Sequence, residues 1–225
     1  MANLFNAAGL SYRTAGWAAI TSGAFGILAY AALMTAVMTR TTMTLTGQVL
    51  VLFRTHDVIA ILQFLLMIPA VVALQKLSHK QLPGMSRATL ATGIVALSLT
   101  ALSLIFIFPR IMSDGYYMIP QAMFGVWLMV VNWQLSGILS RGTRWFGMVV
   151  GFGLALVGIF NIGYAIFVSP IGLRIPAAPI EDLEIPVETT ANIILHNILL
   201  IGSFMGVLTL PFWTIILGRK LIREK

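Results

Sequence analysis

Six apolar runs, each about 20 residues or longer, constrain this chain more than any other feature. They are residues 14–38, 57–75, 88–108, 117–139, 145–168 and 191–217. A bilayer core about 30 Å thick is crossed by about 20 helical residues at 1.5 Å rise each, so every run is long enough to span it. Period-2 alternation is absent and the runs are too long for barrel strands, so the predicted elements are helices. Composition agrees: 59% of the 225 residues are hydrophobic and 9% are charged. A soluble domain carries about 25% charged residues. A soluble globular enzyme and a disordered chain are both excluded. The predicted fold class is all-α: a polytopic transmembrane bundle of six helices forming a single domain over residues 1–225.

The segments between the runs predict orientation. With the N-terminus inside, ten of the fourteen basic residues fall on the inner side. Arg13, the Lys76–Arg87 loop, Arg141, Arg144 and the C-terminal Arg219–Lys225 segment contribute them. The outer side then holds Arg40, Arg54, Arg110 and Arg174 together with six of the seven acids. The positive-inside rule selects this N-in/C-in arrangement. The net charge of +7 is therefore a topology signal, and no nucleic-acid partner is expected. The first run exceeds a signal-peptide core and reads as a retained anchor. Trp17 and Trp145 fit the inner interface, and Tyr116, Tyr117 and Tyr164 the outer one. Cysteine is absent, which removes disulfides, thiolate nucleophiles and Cys-ligated metals.

Two outer connections exceed bare turns. In Thr41–Phe53 a polar piece precedes Val49–Phe53, which either lies at the interface or extends the second helix outward. Ser169–Thr190 contains four prolines with Ile and Leu between acids, the pattern of a loop packed on the outer face. Small residues recur every fourth position in Ala15/Ala19/Gly23, Gly147/Gly151/Ala155 and Gly202/Gly206. Such stripes let helix backbones approach. Packing within the bundle is the expectation. A homo-oligomer face through Gly147, Gly151, Gly202 and Gly206 is the alternative. Pro69 and Pro211 interrupt the second and sixth runs and leave the carbonyls of Leu65 and Val207 without their helical donors.

The polar residues inside these runs are few. Arg54, His56 and Asp57 open the second run, Gln63 lies deeper on it, and Gln121 lies on the fourth. Asn161 and Tyr164 stand near the outer end of the fifth; Asn192, His196 and Asn197 open the sixth. Ionisable and amide groups in membrane helices are costly and usually face inward. The functional reading is an outward-facing polar pocket, with ligand-binding residues Arg54, His56, Asp57, Gln63, Gln121, Asn161, His196 and Asn197. The structural alternative is an interfacial position at which Asp57 suits a helix N-terminus. Asp57 and His196 enter at matched depth and are expected to approach each other. A rhomboid-type serine protease would need a GxSG serine, but the fourth run reads Gln134-Leu135-Ser136-Gly137. Paired haem ligands, HExxH, phosphate-binding loops and dinucleotide glycines are absent, so no cofactor, metal or catalytic residue is predicted.

One resemblance rests on Phe53-Arg54-Thr55-His56-Asp57-Val58, on Phe124-Gly125-Val126-Trp127-Leu128, on the turn Gly137–Gly147, and on Leu210-Pro211-Phe212-Trp213 with Gly218-Arg219. These resemble bacterial six-helix integral membrane proteins known only as a domain of unknown function. In them an Arg-x-x-Asp step opens helix two and a Gly-x-Trp-Leu element precedes an Arg-x-x-Gly turn. Here Thr143 stands where that family has proline. The resemblance covers nearly the whole chain and implies a bacterial inner-membrane protein, without a substrate. The functional expectation is a non-enzymatic integral membrane protein with an accessory, sensing or structural role. The alternative is a small transporter or ligand-binding permease using the outer pocket.

Overall fold

The computed structural model describes residues 11–39, 47–81, 87–109, 111–177 and 189–224. The helices are α1 (Tyr12–Thr39), α2 (Gly47–Gln81), α3 (Arg87–Ile107), α4 (Met118–Gln134), α5 (Arg141–Phe167), α6 (Thr190–Gly202) and α7 (Leu210–Arg223). A π-helical turn over Ser203–Val207 joins the last two. Among the described residues five spans are long and apolar enough to cross a membrane: α1, α2, α3, α5 and the α6–α7 unit. The shorter α4 is extended at its start by a 3-10 turn, Asp114–Tyr117. The protein is an all-α, multi-pass membrane bundle. Its outward side chains include Leu28, Val51, Ile166 and Phe204, the apolar surface that lipid requires.

The helices form a ring. α1 packs on α2, α2 on α3, α3 on α4, and α4 on α5. α5 carries α6 and the π-helical turn, and α7 returns against α1 to close the ring. Close approach depends on glycine. A Cβ on Gly16 would meet the Gly218 carbonyl at 2.7 Å, and one on Gly151 would meet the Gly125 carbonyl at 2.5 Å. Gly147 faces Asn132 of α4, while Gly202 and Gly206 face Gly153 and Leu154 of α5. The four glycines of the oligomer alternative are therefore taken up by contacts within one chain, because each is pressed against neighbouring atoms of the same bundle.

Four predicted helices are corrected. The second helix is longer than 57–75: Val49–Phe53 continues it outward, and Val49 is buried. The fourth helix ends at Gln134 and not at Leu139. Gly137 adopts φ +100°, a conformation suited to glycine, and the turn buries Leu135, Ile138 and Leu139. The Ser140 side chain then accepts from the Thr143 amide at 3.3 Å, so α5 starts at Arg141 and not at 145. The sixth run is two helices, since the 203–207 turn closes through the Leu208 amide donating to the Ser203 carbonyl at 2.9 Å. Pro211 consequently sits in the first turn of α7, where its missing N–H costs little.

Basic side chains tie the turn between α4 and α5. Arg144 donates from Nε to the Asn132 carbonyl at 3.0 Å and from a terminal nitrogen to the Trp133 carbonyl at 3.4 Å. Lys220 of α7 donates to the Ile138 carbonyl. Both cations meet carbonyls at or just beyond the C-terminus of α4, where the helix dipole favours positive charge. At the other end, Tyr116 donates to the Leu173 carbonyl at 2.7 Å and Ser113 to the Arg174 carbonyl at 2.9 Å. These bonds lay the segment after α5 across the start of α4. The rest of that connection, including Glu181, Asp182 and Glu184, lies outside the described residues, as do residues 41–46.

Candidate functional site

The ring encloses a cavity of about 670 Å³ in the half of the bundle nearer the 108–117 and 168–177 connections. Its walls come from α1, α2, the start of α4, α5, α6 and the π-helical turn. Ala29, Ala60, Phe64, Val157 and Leu210 supply an apolar lining. Into it project His56 and Gln63 of α2, Gln121 of α4, and His196 and Asn197 of α6. These five were all singled out from sequence. They come together because positions 56, 60 and 63 fall on one face of α2, while 196 and 200 fall on one face of α6.

The other three predicted residues lie beside the cavity and hold its frame. Asp57 accepts from His56 Nδ1 at 3.0 Å. Arg54 is stacked over the Phe108 ring of α3, 5.0 Å from its centroid, a cation–π contact. Asn161 donates to the Gly115 carbonyl at 2.9 Å, anchoring the 3-10 turn to α5. No direct hydrogen bond joins Asp57 to His196, and each has a pairing of its own. The Asp57 carboxylate takes the imidazole next to it in sequence, and His196 Nδ1 takes the Asn192 carbonyl at 2.9 Å.

These pairings set which nitrogen carries the proton in the neutral form of each ring. A carboxylate and a backbone carbonyl only accept, so Nδ1 is the donor in each case. The neutral imidazole then presents Nε2 as an acceptor. His196 is further held edge-on by Phe160 and Tyr164, whose ring centroids lie 5.9 and 6.4 Å away.

The two glutamines are the buried polar side chains of the cavity lining. Gln121 is 3% exposed and Gln63 is 6% exposed. Among the described residues the Gln121 Oε1 is buried with no hydrogen-bond partner. Ser22 of α1 donates to the backbone carbonyl of Gln63 at 2.8 Å. Gly26 leaves room beside the Gln63 amide, since a Cβ there would come within 2.7 Å of its Nε2. Sequence reading missed Gly26, Tyr30 and Ser203, which also line the cavity. The local pattern 202–206, a serine flanked by glycines ahead of a proline, is the signal for Ser203.

The wall on the α6 side is thin. Leu200 and Phe204 line the cavity and are 56% and 54% exposed on the molecular surface. Facing them across the opening are Tyr30, Leu33 and Met34 of α1, all half-buried. Among the described residues no lysine, arginine, aspartate or glutamate lines the cavity, and no group of three His, Asp or Glu is placed to hold a metal. Comparison with protein-family models, with curated proteins and with solved structures yields no match.

Proposed function

We propose that this chain is a non-enzymatic membrane protein that binds a small ligand in the cavity between α1, α2, α4 and α6, as a permease or a ligand sensor. One observation carries the reading: five polar residues from three separate helices converge on one apolar-walled cavity. A mostly apolar pocket with a few convergent polar groups is the usual form of a small-molecule site. A buried amide without a partner is costly unless something else satisfies it. A bound donor would satisfy the Gln121 Oε1, which is buried in the cavity wall, and this supports a binding role. We place the protein in a bacterial cytoplasmic membrane with both termini inside, on the positive-inside bias and the family resemblance. The cavity then faces the outer leaflet.

Native mass spectrometry of the protein released from its expression membranes tests the reading. Wild type carries a small-molecule adduct, and Ala60→Phe, which fills the cavity from a buried wall position, carries less of it. A wild-type protein with no adduct under conditions that preserve its fold sinks the proposal.

A further inference from the structure

Granting that the cavity binds a ligand, its donors and acceptors define the class. We propose that the occupant is a neutral, membrane-borne alcohol: a hydroxyl head held among His56, His196 and Gln121, with its alkyl tail leaving between α1 and α6 into the bilayer.

The head follows from hydrogen-bond bookkeeping. Both imidazoles spend their Nδ1 protons on fixed acceptors, Asp57 for His56 and the Asn192 carbonyl for His196. Each Nε2 is left to accept. A head that only accepts, such as an ether or an ester, leaves both rings unsatisfied. A hydroxyl carries one proton and donates it to one of these acceptors, an imidazole Nε2 or the buried Gln121 Oε1, which an ether or an ester cannot do. Charged heads do not fit. No basic side chain among the described residues lines the cavity to neutralise a phosphate, and the one nearby carboxylate, Asp57, is already engaged behind His56. An uncompensated charge in an apolar cavity is strongly disfavoured.

The tail and its route follow from the thin wall. Leu200 and Phe204 belong to the cavity lining and to the lipid-facing surface at once. The cavity therefore opens sideways, and an alkyl chain can lie against these two side chains with its end in lipid. The π-helical turn produces the opening. It carries one extra residue per turn relative to an α-helix, so α6 takes a different course from α7, which stays packed on α1. Such turns recur at functional sites.

The cysteine-free chain permits a site-specific test in phosphatidylcholine nanodiscs. Ser203→Cys places a thiol in the cavity wall with little change of shape. Its alkylation by N-ethylmaleimide is timed with n-dodecanol, dodecyl methyl ether, dodecyltrimethylammonium or dodecyl phosphate present. Dodecanol is expected to slow alkylation about tenfold at a concentration where the ether changes it less than about twofold, since the ether cannot satisfy the acceptors. His196→Phe keeps the ring and removes Nε2, and should bring dodecanol down to the ether's effect. Asn197→Cys, on the same wall, serves if the first cysteine disturbs the fold. Equal protection by the ether, or stronger protection by either charged probe, overturns the alcohol while leaving ligand binding in place. No protection by any probe from a protein that carries an adduct also overturns only the ligand class. No protection and no adduct together overturn both.

Discussion

Gly153 of α5 and Gly206 of the π-helical turn pack backbone against backbone. A Cβ on Gly153 would fall on the Gly206 nitrogen and within 2.5 Å of the Met205 carbonyl carbon. Backbone cannot step aside as a side-chain tip can, so Gly153→Ala must displace the turn. Overpacking of this kind costs about 1–3 kcal/mol, and a matching fall in Tm is expected. Gly142 supplies the contrast. A Cβ there meets nothing within 4 Å, and alanine is the better helix former by roughly 0.5–1 kcal/mol. Gly142→Ala should therefore raise Tm slightly. Parallel shifts in the two variants would show that helix propensity, and not the close approach, sets the response.

Arg144 binds the end of α4 through two nitrogens of one planar group. Lysine keeps the charge but lacks the fork. Arg144→Lys should retain less than half of the stabilisation that Arg144→Ala removes. The full loss is about 1–2 kcal/mol for charge-assisted bonds at a partly exposed site. Thermal unfolding of the two variants side by side measures the ratio, and equal stability of wild type and lysine variant would reduce Arg144 to a point charge.

Trp127 donates to the Thr89 carbonyl at 2.6 Å and stacks on Phe124 at 5.2 Å. Its ring fills the notch at Gly93, where a Cβ would meet ring carbon at 2.5 Å. Gly93→Ala is expected to destabilise by about 1–3 kcal/mol. In a Trp127→Leu background the same substitution should cost little, because the ring it strikes is gone. A double-mutant cycle reads this coupling directly. Additive effects would place the strain of Gly93→Ala elsewhere.

Much of this architecture was legible in the sequence because bilayer thickness sets helix length independently of tertiary detail. The first and third spans fall within a residue or two of their predicted ends. The failures share one cause: local backbone devices that hydropathy does not register. Leu135, Ile138 and Leu139 are as apolar as helix residues, yet Gly137 turns them into the loop between α4 and α5, and the Ser140 cap starts α5 early. In the sixth run apolar residues continue through a π-helical turn that only Thr209 and the 202–206 glycines hint at. The site divided in the same way. Depth placed His56, His196 and Asn197 at one level with Gln63 further in, and helical periodicity brought them to one cavity with Gln121. Depth alone could not say that Asp57 would choose His56, because a neighbour in sequence competes with a partner across the bundle.

Orientation is open to direct measurement. Arg174 is exposed in the segment after α5, on the side assigned as outer by the charge bias. A cysteine at Arg174 should react with an impermeant thiol reagent in intact cells, and one at Glu224 should react only after the membrane is opened. The reverse pattern would invert the bundle and turn the cavity toward the inner leaflet.

Gln121 yields a prediction in which stability and function move in opposite directions. The residue is 3% exposed, and among the described residues its Oε1 is buried with no hydrogen-bond partner. Leaving a buried polar group unpaired costs about 1–3 kcal/mol, whereas an apolar side chain of similar volume avoids that cost. Gln121→Leu should accordingly raise the Tm of the protein freed of its adduct. Binding sites are commonly stabilised by losing the group that serves the ligand. The same variant should lose the adduct, since the amide is then missing from the head-group site. Wild type saturated with a bound hydroxyl should recover part of the difference, because occupancy stabilises the folded state by mass action. Unfolding followed with and without dodecanol in both proteins separates the effects. A Tm that falls in Gln121→Leu would mean that the amide already has a structural partner, and would move the ligand away from α4.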